Sequence, residues 1–154
     1  MKIAFVAVAL FSCILFTNRT SAQTKNNVTS AKLNHIAIYV TDLSKSEHFY
    51  ESLLKLTKIE EPFKDGKHVW FTLGAVGQVH LIQGIYSKIE HDKNEHLCFS
   101  VPSIPQFIKE LEKQKVTFTN WAGTANEPTI RVDGVKQIYF QDPDGHWLEV
   151  NDAK

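Results

Sequence analysis

Four residues in this chain have the types and the setting to do chemistry together: His35, His80, His96 and Glu149. Each lies in a short run whose residues alternate in character, the pattern of a half-buried β-strand. In Leu33–Val40 (LNHIAIYV), Asn34, Ile36, Ile38 and Val40 make one face, and Leu33, His35, Ala37 and Tyr39 make the other. The pattern returns in Glu95–Val101 (EHLCFSV), where Leu97, Phe99 and Val101 oppose His96, Cys98 and Ser100. In Gln78–Gln83, Val79 and Leu81 oppose His80; in His146–Asn151, Leu148 and Val150 oppose Trp147 and Glu149. If each aliphatic stripe packs against a helix, all four side chains face one open trough. Three imidazoles and a carboxylate suit a borderline first-row divalent ion (Zn, Ni, Co, Mn or Fe) better than calcium. A single strand histidine is more often a packing or surface group. Four at matched ends of a repeat favour metal, with His80 the dispensable member because water can complete a shell.

The same alternation brings Trp70, Tyr139 and Trp147 to the trough face, as a substrate wall or as ordinary aromatic filling. Arg131, Lys136 and Gln137 sit near a strand turn, where they could meet an anionic or carbonyl group or simply face solvent. His48, His68, His91 and His146 read as surface or packing residues, and mid-strand Cys98 as packing rather than nucleophile.

The elements that must carry these residues come in the same order twice. After the first strand, Thr41-Asp42-Leu43-Ser44 offers capping residues, and a helix is predicted over 44–56 with Phe49, Tyr50, Leu53, Leu54 and Leu56 on its apolar face. Strands follow at 57–63, 68–73 and 78–83, with Asp65-Gly66 and the Gly74 and Gly77 pair at turns. Residues 84–94 form a mixed-charge linker. The second copy runs through the strand at 95–101, a helix over 104–114 opened by Pro102-Ser103, and strands at 116–120, 129–132, 136–141 and 146–151. Asp133-Gly134 and Asp142-Pro143-Asp144-Gly145 mark the last turns. The fold class is α+β: tandem βαβββ modules at 33–83 and 95–151, forming an open, barrel-like sheet trough with helices outside.

The chain has 154 residues, 43% of them hydrophobic and 22% charged, enough for one domain with its own core. Basic and acidic residues number 17 each and no basic stripe stands out, which excludes nucleic acid as a partner. Residues 1–22 have the layout of a signal peptide: Lys2, the apolar run Ile3–Phe16, and Thr20-Ser21-Ala22 before the cut. The run is shorter than the roughly 20 residues a membrane span needs, so no membrane association is expected after cleavage. Cleavage removes Lys2 and Arg19 and no acid, taking the net charge from zero to −2, and it leaves Cys98 as the sole cysteine. The mature chain is then an exported (periplasmic or secreted) protein without an internal disulfide, preceded by a polar lead-in at 23–32.

The stretches NHIAIYVTDLSKSEHFYESLLKL, EHLCFSV and IYFQDPDGHWLEVND resemble the vicinal oxygen chelate superfamily, which includes glyoxalases, bleomycin-resistance proteins and extradiol dioxygenases. The resemblance spans about 33–151 and implies a single domain of that class. It places His35, His96 and Glu149 on family metal positions and His80 on the fourth. Glyoxalase I and methylmalonyl-CoA epimerase usually carry Glu or Gln there, so histidine is a departure, as is export. What it implies is a metal-dependent glyoxalase-like lyase or isomerase on a small oxygen-chelating substrate, with Glu149 also shuttling a proton. The alternatives are a non-catalytic small-molecule or antibiotic binder and a fosfomycin-type thiol transferase using a His-His-Glu site. The two modules of one chain can close the trough alone or pair across a dimer with swapped halves, in which case His35 would share a metal with residues of the other subunit; a homodimer is expected.

Overall fold

The computed structural model describes residues 30–85 and 89–154. The expected signal peptide at 1–22, and all but the end of the lead-in at 23–32, lie outside them. Module one runs β1 (His35–Val40), α1 (Leu43–Ser52), β2 (Thr57–Ile59), β3 (His68–Thr72), a single 3-10 turn at Gly74–Val76, and β4 (Gln78–Gln83). Module two runs β5 (His96–Ser100), α2 (Ile104–Lys113), β6 (Thr129–Ile130), β7 (Lys136–Gln141) and β8 (Trp147–Asn151). Each module builds one four-stranded mixed sheet, ordered β1-β4-β3-β2 and β5-β8-β7-β6.

The register decides which side chains become neighbours. β1 lies parallel to β4 with Ala37 beside His80, and β3 lies antiparallel to β4 with Trp70 beside His80. In the second sheet Glu149 has Cys98 on one side, across the parallel β5–β8 pair, and Tyr139 on the other. Neighbouring positions across a ladder hold their side chains on one face, so register alone groups these residues.

Both helices start on side-chain caps: Asp42 accepts the amide of Lys45, and Ser103 the amide of Gln106, with Pro105 in the first turn. Helix α1 stops at Ser52, short of the expected Leu56, because Lys55 takes the left-handed conformation at φ 56°. Strand β2 ends at Ile59 rather than 63: the Glu61 carboxylate draws in the amides of Phe63 and Lys64, and Lys64 has φ 51°. The strand expected over 116–120 is reduced to isolated bridges from Thr119 to Ala125 and Tyr139. Here the Asn120 side chain accepts the amide of Thr124, and Gly123 at φ 93° turns the chain back at once.

The aliphatic faces of both sheets and the apolar sides of both helices join one buried cluster, from Ile38, Val40 and Phe71 to Phe140, Leu148 and Val150. The modules meet within it. Phe49 of α1 packs on Phe140 of β7 at 6.3 Å between ring centroids, Phe107 of α2 packs on the same ring at 5.9 Å, and the Ser52 hydroxyl donates to Gln114. Among the described residues no helix is long and apolar enough to cross a membrane.

Candidate metal centre

The polar faces carry the four expected ligands as two pairs. On the second sheet, His96 Nε2 lies 3.3 Å from Glu149 Oε2. His96 Nδ1 is 2.7 Å from the backbone carbonyl of Lys93. A carbonyl only accepts, so Nδ1 carries the hydrogen and Nε2 presents its lone pair in the neutral ring. Two lone-pair donors facing each other at this distance can share a metal ion.

Glu149 is only 7% exposed and is held at both oxygens. The Tyr139 hydroxyl donates to Oε2 at 2.7 Å; Asn151 Nδ2 and the Cys98 thiol donate to Oε1 at 2.9 and 3.3 Å. Burial pushes its carboxyl pKa up, but the donors Tyr139, Asn151 and Cys98, with His96 beside it, outweigh burial and leave it lowered. The partners shift the other way. Burial, then the Glu149 carboxylate, raises the Cys98 thiol to about 12 and raises the Tyr139 phenol too. Tyr139 in turn accepts from Gln137 Nε2. The result is an ionised carboxylate oriented by three neutral donors, the outer support that metal-binding carboxylates characteristically have.

On the first sheet, His35 is exposed, and its Nδ1 meets Asn34 Oδ1 at 2.7 Å. As with His96, the nitrogen left to present a lone pair is Nε2. His80 differs. It is 7% exposed, its Nε2 is taken by Gln78 Oε1 at 2.7 Å, and burial, then the nearby His35 and His68, lower its pKa. Its ring stacks on His35 (4.2 Å, 8°) and on Trp70 (3.9 Å, 1°). Trp70 Nε1 is buried with no hydrogen-bond partner, so Trp70 is seated by ring contacts.

Within one chain, then, His35 meets His80 and His96 meets Glu149. Among the described residues no group of three His, Cys, Asp or Glu stands close enough to hold an ion. Trp147 donates its indole N–H to the His91 carbonyl and lies under the Lys93 ammonium at 4.6 Å. Arg131 pairs with Asp133 at 2.6 Å on an exposed turn, although its charge is felt at Cys98. The Lys136 amide is bound by Asp152. Arg131 therefore takes the solvated-turn setting rather than joining Glu149, while Lys136 opens β7, half-buried.

Lys93 was read only as part of a linker, yet it borders the centre. Its carbonyl orients His96, and its ammonium, 5.5 Å from the centroid of the Tyr139 ring, donates to Thr119 Oγ1 and to the carbonyls of Asn120 and Trp121. A lysine three residues before a strand histidine was the available signal. Asn151 was readable by extending the 147, 149 alternation one step. A cavity of about 470 Å³ reaches His96, between Ala37 and Tyr39 of β1 and His91, His146 and Trp147.

The chain belongs to the glyoxalase/bleomycin resistance protein/dioxygenase superfamily, whose sequence profile matches residues 32–150. It is similar to the metallothiol transferase FosB of Staphylococcus saprophyticus, 28% identical over 130 residues, covering 77% of this chain and 75% of that protein. The uncharacterized protein YaeR of Escherichia coli is 30% identical over 130 residues, covering 77% and 94%. Among solved structures, the fosfomycin resistance protein FosX of Listeria monocytogenes shares the fold, with a TM-score of 0.64 at 23% identity over 81% of this chain and 95% of that one.

Proposed function

We propose that the protein is a metal-dependent enzyme that activates a small oxygen-rich substrate by chelation, with His35, His96 and Glu149 as ligands. The observation that carries this reading is the 3.3 Å approach of His96 Nε2 and Glu149 Oε2, each fixed by its own support. A divalent transition ion held there would supply Lewis acidity toward a substrate oxygen. Because one chain joins only two of the three donors, His35 of a second copy completes the set, and the active form is a homodimer. Tyr139 holds Glu149, Lys93 holds His96 and the adjoining loop, and Trp70 and Trp147 border the substrate.

Two finer reactions share such a site. Glyoxalase-type lyase or isomerase chemistry needs a carboxylate that leaves its ligands to carry a proton. Glu149 is tied by three donors and its pKa is lowered, which makes it a poor shuttle. Thiol transfer to an epoxide makes no such demand: a C–S bond forms, a C–O bond breaks, and the thiol proton ends on the released oxygen. The pinned Glu149 favours this second reaction, and the likeness to a metallothiol transferase supports it.

Elemental analysis of the purified protein should find about one transition metal per chain, lost in His35→Ala and in Glu149→Ala. Retention of metal by both variants would overturn the assignment. Turnover of fosfomycin with low-molecular-weight thiols, against turnover of hemithioacetals, separates the two reactions; no metal with tight ligand binding would indicate a sequestering protein. Export is likewise a proposal, supported if the protein isolated from its host begins at Gln23.

A further inference from the structure

The ring stack on the first sheet bears on that ligand set. We infer that His80 is a positioning residue, a stacked brace that fixes the His35 ring, and that none of its nitrogens coordinates the ion. This rests on the reading of His35, His96 and Glu149 as ligands.

Three observations converge. The first is how the side-chain nitrogens are used. His35 and His96 both spend Nδ1 on an oxygen 2.7 Å away and keep Nε2 for a ligand role. His80 does the reverse, committing Nε2 to Gln78 Oε1 at 2.7 Å, so that only Nδ1, the nitrogen nearer the strand backbone, keeps a lone pair. Gln78 is two residues along the same strand, so the two side chains share a face and the bond is local to β4.

The second is the stack. His80 lies between two rings almost exactly parallel to it, His35 at 4.2 Å and 8°, and Trp70 at 3.9 Å and 1°. Both broad faces of the imidazole are covered. Trp70 and Ala37 are its register partners on either side, so the sheet holds the stack at fixed strand spacing. The third is burial. His80 is 7% exposed while His35 at the end of the stack is exposed, so the outer ring faces any approaching group and the inner one supports it. An exposed histidine at the start of a strand, bonded only to its neighbour Asn34, would otherwise sample several rotamers. The stack removes that freedom before the ligand is needed.

Two substitutions divide the roles. His80→Phe keeps a flat ring and removes both nitrogens; His80→Ala removes the ring. In metal-free protein, proton NMR reads the His35 ring protons. The ring-current displacement from the stack should persist in His80→Phe and disappear in His80→Ala. Titration with Mn²⁺, and the visible spectrum of the Co²⁺-loaded protein, read the metal. His80→Phe should bind within about threefold of the unsubstituted protein with an unchanged Co²⁺ spectrum, and His80→Ala should bind at least about tenfold more weakly. Loss of metal in His80→Phe as complete as in His35→Ala would show a coordinating nitrogen and overturn the inference. Unmoved His35 resonances in His80→Ala would overturn it as well. Failure of the unsubstituted protein to bind any metal would instead end the ligand assignment, and the NMR comparison would still decide the brace.

Discussion

At the scale of single residues, the centre is built by donors converging on one carboxylate. Alternation along β5 and β8 was enough to put His96 and Glu149 on the same face, because side-chain direction in a strand follows from position alone. It put Tyr139 there too, but as a substrate wall. Its hydroxyl in fact points at Glu149 Oε2 from 2.7 Å, a role set by the Tyr139–Glu149 register across β7 and β8 that no local pattern states. Tyr139→Phe keeps the ring and removes that donor. Metal affinity should fall by roughly ten- to a hundredfold, the usual effect of losing an outer-shell partner. Because the Tyr139 hydrogen bond lowers the Glu149 pKa, its loss should also move the acid limb of metal binding to higher pH. Isothermal titration across pH measures both, with the unfolding midpoint measured separately. A variant with unaltered affinity at every pH would show that Tyr139 does not orient the carboxylate.

At the scale of elements, the turn Asp142-Pro143-Asp144-Gly145 does more than reverse the chain between β7 and β8. Asp142 is buried and accepts the Tyr50 hydroxyl of α1 at 2.9 Å and His146 Nδ1 at 2.9 Å. Asp144 takes the Thr41 amide and hydroxyl and the Ser46 hydroxyl, at the start of α1. The turn was legible because Pro, Gly and Asp have local conformational preferences. Its grip on α1 was not, since the partners lie 92 to 103 residues away. Likewise His146, read as a surface or packing residue, is part of the clasp. Asp142→Ala should cost about 3 kcal/mol, because it leaves the fully buried Tyr50 hydroxyl without an acceptor. The clasp should also depend on pH. Burial lowers the His146 pKa, but the bond to Asp142 and the charges of Asp142 and Asp144 outweigh it, and the net is raised above the usual 6.5. A raised histidine contributes stability in full below 6.5 and loses it as pH rises through the folded value. His80, whose pKa is lowered, pushes the opposite way. The quantity to measure is therefore the stability difference between the unsubstituted protein and His146→Gln, by denaturant unfolding from pH 5.5 to 8.5. It should be largest at the acid end and shrink toward the alkaline end; a difference independent of pH would remove the charged clasp.

At the scale of the whole molecule, the duplication was legible and the assembly of the site was not. Two copies of one strand pattern announced two sheets, and the sheets formed with the expected order of elements. The aliphatic faces and both helices then close on one core, while the ring-bearing faces keep their donors as separate pairs, His35 with His80 and His96 with Glu149. Alternation assigns a side chain to a face, but which module closes on which depends on contacts between distant segments, or between chains. In the proposed homodimer a two-fold axis would bring the first module of each copy to the second module of the other and make two equivalent sites. This arrangement can be tested without any structure of the dimer. Co-expression of a His35→Ala chain with a Glu149→Ala chain gives random pairs, about half of them mixed. In each mixed pair one site draws His35 from the Glu149→Ala chain and Glu149 from the His35→Ala chain, so it is intact, and its twin lacks both. Metal content and turnover should therefore recover to about one quarter of the unsubstituted level from two inactive parents. If all three donors belonged to one chain, no mixture could rebuild a site, and activity no higher than that of the parents would rule out the shared centre.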